Sequence, residues 1–306
     1  MAKKPDGFAK VKDAFKHCEG VTYLNGEELK NVQRVLLQML KDFIEVAERN
    51  HIDYSLSGGT LLGAVRHQGF IPWDDDMDLH IPRKSFDRFK KIFEKELGDR
   101  YTLSAPEISE HYGLSVSQFK KKDTVYKTFN NITEPDEECG ICIDLFILEN
   151  TPDHALVRKA HGFLCLGVGY LLNCRKVYDY VPDLMKALDH QADNAIRSCF
   201  QTKMRIGRLL RFIPLDSFTR FTYRIYSLCK NHNSRYVTIP SGRVHYFGEM
   251  DTRKNMCHVK KAVFEGVSVS IPYGEVSYLT RLFGTTYMEI PPVEKREQHP
   301  LLKIQL

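Results

Sequence analysis

Four aspartates stand within five positions, Asp74, Asp75, Asp76 and Asp78, just ahead of an apolar stretch through Leu79 and Ile81. Carboxylates this close repel one another, and burying them without a counter-charge is costly. From Asp76 to Ile81 polar and apolar residues alternate, which predicts a strand. Asp76 and Asp78 then project from one face with Cα atoms about 6 to 7 Å apart. A solvated acidic turn is the competing reading, and a charge run is usually that. Two other features weigh against it. Gly58-Gly59 lies about 15 residues upstream, between the strand-like segment 51–57 and a short helix predicted over Thr60–His67. Asp144 is a lone carboxylate inside Ile-Cys-Ile-Asp-Leu-Phe-Ile, a segment that reads as a buried strand and leaves an unpaired acid hard to justify structurally.

Those parts suit one chemistry. Glycines between a strand and a helix start let backbone N–H groups approach an anion, and the helix dipole adds positive potential there. Asp76, Asp78 and Asp144, with Asp74 nearer the strand entrance, form a ligand set for a hard divalent cation, Mg²⁺ or Mn²⁺, which in turn holds phosphate oxygens. Asp144 has two open roles, third ligand or general base. Thr60 belongs to the same glycine turn. Arg66 is a candidate phosphate clamp or a surface ion pair, and His67 beside it a phosphate contact or a structural histidine. Near the C-terminus Lys295, Arg296 and His299 form a compact basic cluster that either folds back onto phosphates or stays solvated.

Along the chain, residues 1–22 read as a basic arm. Leu29, Val32, Leu36, Met39, Phe43 and Val46 recur every three or four positions, predicting an amphipathic helix over Glu27–Asn50. Ser85 is placed as the cap of a helix carrying Phe86, Phe89, Phe93 and Leu97. Strand-like segments fill Tyr101–Phe129. The span from Ala155 to Lys230 is mainly helical. His258–Ile271 reads as a hairpin around Glu265-Gly266, and Tyr273–Phe283 as a helix ended by Gly284. The fold class is α/β (α+β): a mixed sheet with flanking helices over 23–154, a helical region over 155–254, and a hairpin and helix over 255–306 that fold back on the core.

The 306 residues are 42% hydrophobic and 27% charged, which excludes gross disorder. A formal net charge of +5 is too mild to imply a nucleic-acid binder by itself, though it allows a local basic patch. The sequence offers no stretch of roughly 18 to 20 purely apolar residues, and the run Gly162–Leu172 is assigned to a core helix. With no apolar signal region after the basic start, a cytoplasmic chain is expected. Cys139 and Cys142 form a C-x-x-C without a second pair, so reduced structural thiols are expected in place of a zinc or redox site.

The string GGTLLGAVRHQGFIPWDDDMDL, residues 58–79, resembles the LicD family of phosphotransferases related to fukutin, within the nucleotidyltransferase superfamily. PYGEVSYLTRLFGTTYMEIPPVEKREQH, residues 272–299, resembles that family's C-terminal segment. The resemblance implies a nucleotidyltransferase-type sheet and metal-dependent transfer of a phospho-substituent. It further implies a CDP-activated alcohol as donor, a hydroxyl of a cell-surface glycan or lipid-linked glycan as acceptor, and CMP as product. Carried over by position, the glycine turn is Gly58 and Gly59, the metal pair Asp76 and Asp78, and the later strand carboxylate Asp144. The alternatives are a nucleotidyltransferase that moves the nucleotide itself, and a non-enzymatic binder of membrane or nucleic acid. Between Arg197 and Lys230 eight Lys or Arg and a single acid, Asp216, are interleaved with aromatic residues. This stretch fits either a peripheral membrane contact at the inner face or an ordinary helical subdomain.

Overall fold

The computed structural model describes residues 21–110, 112–128, 131–187 and 194–306, without the side chains of 184–187 and 194–199. The basic arm 1–22 falls almost wholly outside the described residues. Helix α1 (Gly26–Arg49) buries Leu29, Val32, Leu36, Met39 and Phe43, the face its periodicity marks. Strand β1 (Ser55–Leu56) is shorter than the segment 51–57, and helix α2 (Gly58–His67) begins at the glycines themselves. Strand β2 spans Asp78–Pro82 and helix α3 Arg83–Leu97. β2 thus starts at Asp78, leaving Asp76 on the approach to it. Pro82, not Ser85, precedes α3; the Ser85 hydroxyl accepts from Asp53 N–H and donates to its carboxylate instead.

Strands β3 (Tyr101–Ser104), β4 (Ser117–Lys121), β5 (Val125–Thr128) and β6 (Cys142–Asn150) follow. The sheet order is β1-β2-β6-β4-β3, with β2 and β6 parallel and the neighbouring pairs antiparallel. Arg83, buried at the start of α3, grips Glu149 near the end of β6 and Glu107, which ties the exit of β2 to its neighbour. Removing one partner of such a buried pair would cost about 3 to 5 kcal/mol.

The second half is helical first: α4 (Ala155–Ala187), α5 (Asn194–Leu209) and α6 (Leu215–Tyr226). It is not only helical. Strand β7 (Tyr236–Thr238) pairs with β6, and beyond helix α7 (His245–Glu249) strand β8 (Asp251–Thr252) pairs with β7 and extends the sheet to seven strands. A short helix α8 (Arg253–Cys257) leads to the hairpin β9 (Val259–Phe264) and β10 (Val267–Pro272). Its turn residues Glu265 and Gly266 both take positive φ, 49° and 74°, the geometry of a two-residue hairpin turn. Helix α9 (Glu275–Phe283) stops at Gly284, whose φ of 87° a side chain would resist. Strand β11 (Leu301–Gln305) returns to pair with β5, bringing the C-terminal segment over the carboxylates. One core runs from α1 and α3 through the sheet to β10 and α9.

Candidate active site

Parallel pairing of β2 with β6 sets Asp78 opposite Asp144. On the far side of β6, Gln118 of β4 stands opposite Asp144, and its Nε2 donates to Asp144 Oδ1 at 2.9 Å. Thr60 Oγ1 accepts from the Asp78 N–H at 2.9 Å, and the Ser57 N–H donates to Asp78 C=O at 3.0 Å. The threonine hydroxyl placed among the phosphate contacts is therefore engaged in fixing the head of β2, and the residue is buried.

The glycine pair has a second reason to be glycine. Gly58 has a φ of +50°, and a Cβ there would fall well inside contact distance of Asp78 Oδ2; one on Gly59 would stand 2.8 Å from Asp74 Oδ2. The turn lies against the carboxylates it precedes by fifteen to twenty residues. The first turn of α2 also leaves backbone N–H groups without intrahelical partners, beside the same acids.

Burial, then repulsion from Asp76 and its neighbours, raises the Asp74 and Asp78 pKa values well above the usual carboxylate range. Burial also lifts Asp144 to about 6, against the opposing hydrogen bond from Gln118. His299 enters this group from the C-terminal segment. Its Nδ1 lies 2.7 Å from Asp75 Oδ1 and its Nε2 3.8 Å from Asp76 Oδ2. Burial disfavours a charged ring there, but the bond to Asp75 and the charges of Asp76, Asp75 and Asp74 outweigh it and raise the pKa to about 10. Asp74, Asp76 and His299 each bring one ligand atom within 4.8 Å of the others. The two carboxylate oxygens, held together at an energetic cost, fit a hard divalent cation, and the imidazole adds a nitrogen donor.

Asp74, Asp76 and Asp78 line a cavity of about 580 Å³ together with Gly58, Gly59 and, from the C-terminal segment, His299. Its wall includes Lys295 and Arg296, and the Arg296 guanidinium stacks on the Trp73 ring, 4.1 Å from the centroid. Arg66 also lines it, but its Nη1 donates to the carbonyls of Tyr287 and Glu289, at 2.8 and 3.0 Å. Arg66 therefore anchors the segment that carries Lys295 and His299. His67 accepts from Arg66 Nε and meets Trp73 edge-on, away from the cavity lining. A smaller space of about 160 Å³ meets the first at Asp76 and His299 and reaches Asp144 and Gln118.

Cys139 and Cys142 are free thiols. Cys139 Sγ donates to Pro135 C=O, and Cys142 lies against Asp144 and Gln118.

Sequence reasoning missed a buried trio behind the glycine turn. Ser57 Oγ, His80 Nε2 and Tyr278 OH lie 2.7 to 3.2 Å apart, joining β2, the N-cap of α2 and α9. Burial drops the His80 pKa to about 3, so the ring is neutral. Its parity was readable: His80 follows Asp76 and Asp78 at the same two-residue step. Tyr126, whose hydroxyl donates to Asp75 at 2.8 Å, and Gln118 carried no sequence signal, because register across strands selects them.

Residues 51–152 match the family model described as LicD/FKTN/FKRP, nucleotidyltransferase domain. The chain is 25% identical over 288 residues to the lipopolysaccharide cholinephosphotransferase LicD of Haemophilus influenzae, covering 89% of this chain and 95% of that protein. It is 46% identical over 48 residues to the human ribitol 5-phosphate transferase FKRP, 16% of this chain and 10% of that protein. An uncharacterized protein of Rickettsia typhi is 48% identical over 67 residues, 21% of this chain and 22% of that protein.

Proposed function

Because the chain belongs to the LicD/fukutin-related family of transferases of phosphate-containing groups, we propose that it moves a phospho-alcohol from a CDP-activated donor to a hydroxyl of a surface glycan and releases CMP. The observation that carries this reading is the convergence of Asp74, Asp76 and Asp78 with the amino end of α2 in one cavity, and of Asp144 in the smaller space that adjoins it. Asp76 and Asp78, with Asp144 and with Asp74 in reach, are the residues that would hold Mg²⁺ or Mn²⁺. Bound there, the cation supplies charge neutralisation at the transferring phosphorus and on the departing nucleotide phosphate.

The chain's own residues do the rest. Backbone N–H groups at Gly58 and Gly59 receive the donor diphosphate, with Lys295 and Arg296 closing over it from the C-terminal segment. Trp73, backed by Arg296, gives the cavity a flat aromatic wall. Asp144 either completes that ligand set or takes the proton of the acceptor hydroxyl as it attacks. Arg66 holds the C-terminal segment in place. An inner-face location suits this chemistry, since a charged nucleotide donor does not cross a bilayer unaided.

The test is incubation with Mg²⁺ or Mn²⁺ and a panel of CDP-alcohols, with CMP release and the acceptor product both measured. Free CMP and a phospho-alcohol on the glycan support the proposal. A nucleotidylated acceptor, with free phospho-alcohol released, would replace it by nucleotidyl transfer.

A further inference from the structure

Helix α4 has two apolar faces and buries only one. His161, Cys165 and Leu172 turn inward, where Cys165 joins Tyr223 and Tyr226 of α6 and Tyr246 of α7 in a small core. On another face Leu156, Val157, Phe163, Leu164, Tyr170 and Leu171 are all exposed, Leu156 by 70% and Phe163 by 67%. Ala160 and Gly167 fill the positions between them, so at helical spacing the apolar stripe is continuous for about 22 Å, with the exposed Lys159 at its edge. Isolated exposed apolar residues are ordinary, whereas a continuous stripe of this length marks an interaction surface.

The segment Ala155–Asp183 has the length and composition of a membrane span, against the expectation of a plain core helix, yet 28% of its most apolar window is buried. Its inner side is committed to protein: His161 Nε2 lies 2.8 Å from Ile225 C=O, and Arg175 donates to Ile213 C=O and pairs with Asp179. A helix fixed this way along one side has only its outer face left for lipid. That is the geometry of a helix lying in the interface.

The neighbouring surface supplies the charge. At the junction of α5 and α6, Leu209 and Phe212 are 74% and 78% exposed, between the exposed Arg205, Arg208 and Arg211. Asp216, the single acid of 197–230, is already paired with Arg220. The apolar surface also reaches the cavity. The Phe163 ring meets Phe247 of α7 at 5.3 Å, and just ahead of α7 Gly242 and Arg243 line the cavity, as does the exposed Ile290.

We propose that the outer face of α4 and the Leu209–Phe212 tip dock peripherally on an anionic lipid bilayer. The contact expected at 197–230 thereby becomes the basic flank of a surface centred on α4. Docking itself is independent of the transfer chemistry; only its use, to present a lipid-anchored acceptor at the cavity mouth, rests on the proposed function.

Flotation of the full chain with vesicles tests it. Binding is expected to vesicles containing phosphatidylglycerol, weaker to pure phosphatidylcholine, and reduced by salt. Leu156→Asp and Phe212→Asp should each weaken binding about tenfold or more, because a buried apolar chain becomes a charge. Both variants should keep the wild-type melt and wild-type CMP release with a soluble acceptor. A variant that loses CMP release but still floats would count against the transferase reading alone. Equal binding to both vesicles at all salt concentrations, no binding, or retention in alkali-washed membranes would overturn peripheral docking. So would a stable dimer that the same substitutions dissociate, since that would assign the face to a second copy.

Discussion

Asp78 and Asp144 face each other in register across the parallel pair of β2 and β6. Each is raised in pKa chiefly by burial, and Asp78 is raised further by the charges of Asp76 and Asp144. The metal-free protein stores this repulsion, so function and stability oppose each other at these positions.

Asp76→Ala and Asp78→Ala should each cut transfer by at least ~10³-fold, about 4 kcal/mol of transition-state stabilisation. Neither should lower the metal-free melting temperature, and relief of repulsion should raise it. Turnover assays at saturating Mg²⁺ beside thermal melts in chelator check both halves. Near-normal turnover in either variant would reduce the cluster to an acidic turn.

Asp144→Asn separates a role in the site, as ligand or base, from a purely structural one. Asp144's hydrogen-bond partner is the neutral amide of Gln118, which speaks against a structural ion pair. A pKa raised from 3.8 to about 6 adds stability that is complete below about pH 4 and is lost as pH rises through 6. The metal-free asparagine variant should therefore match the wild type near pH 4 and exceed it above neutrality, by up to about 3 kcal/mol. Transfer by the variant should collapse. A variant that melts far earlier yet keeps its activity per folded molecule would take Asp144 out of the site.

His80 carries the opposite sign. Its pKa is lowered to about 3, so its stabilising contribution is complete above about pH 6.5 and is lost as pH falls toward 3. His80→Phe should flatten the acid side of the stability profile. It should also cost about 1 to 3 kcal/mol at neutral pH, because the buried Ser57 and Tyr278 hydroxyls each lose a bond and keep only each other. Urea melts at neutral and mildly acid pH would show it, and an unchanged acid slope would refute it.

His299→Ala should weaken Mn²⁺ binding about tenfold, read by metal titration in the absence of donor. If the imidazole contacts only donor phosphates, Mn²⁺ affinity will not change and the donor KM will rise instead.

Gly58→Ala should cost about 1 to 3 kcal/mol, since it combines a positive φ with a Cβ pressed on Asp78. Gly266→Ala, also positive in φ but with open space around its Cβ, serves as the control for backbone strain alone.

What the residues alone determined is what neighbours within a few positions determine. The apolar spacing of α1, the Glu265-Gly266 turn, the stop at Gly284 and the grouping of glycines with aspartates are local, and each follows from helix or strand period and φ preference. The site's carboxylates were legible because charges in an apolar strand conflict with burial wherever the strand ends up. Ser85 misled because a cap-forming residue can instead bond a distant loop, here at Asp53. Only the tertiary structure could decide that His299 meets Asp75 across 224 positions, that Arg66 holds Tyr287 across 221, and that the Gln118 amide donates to Asp144. Strand order and register fix those meetings, and no periodicity encodes them. The same holds for α4: composition marks both of its faces as apolar, and only the packing of α6 and α7 selects which one is buried.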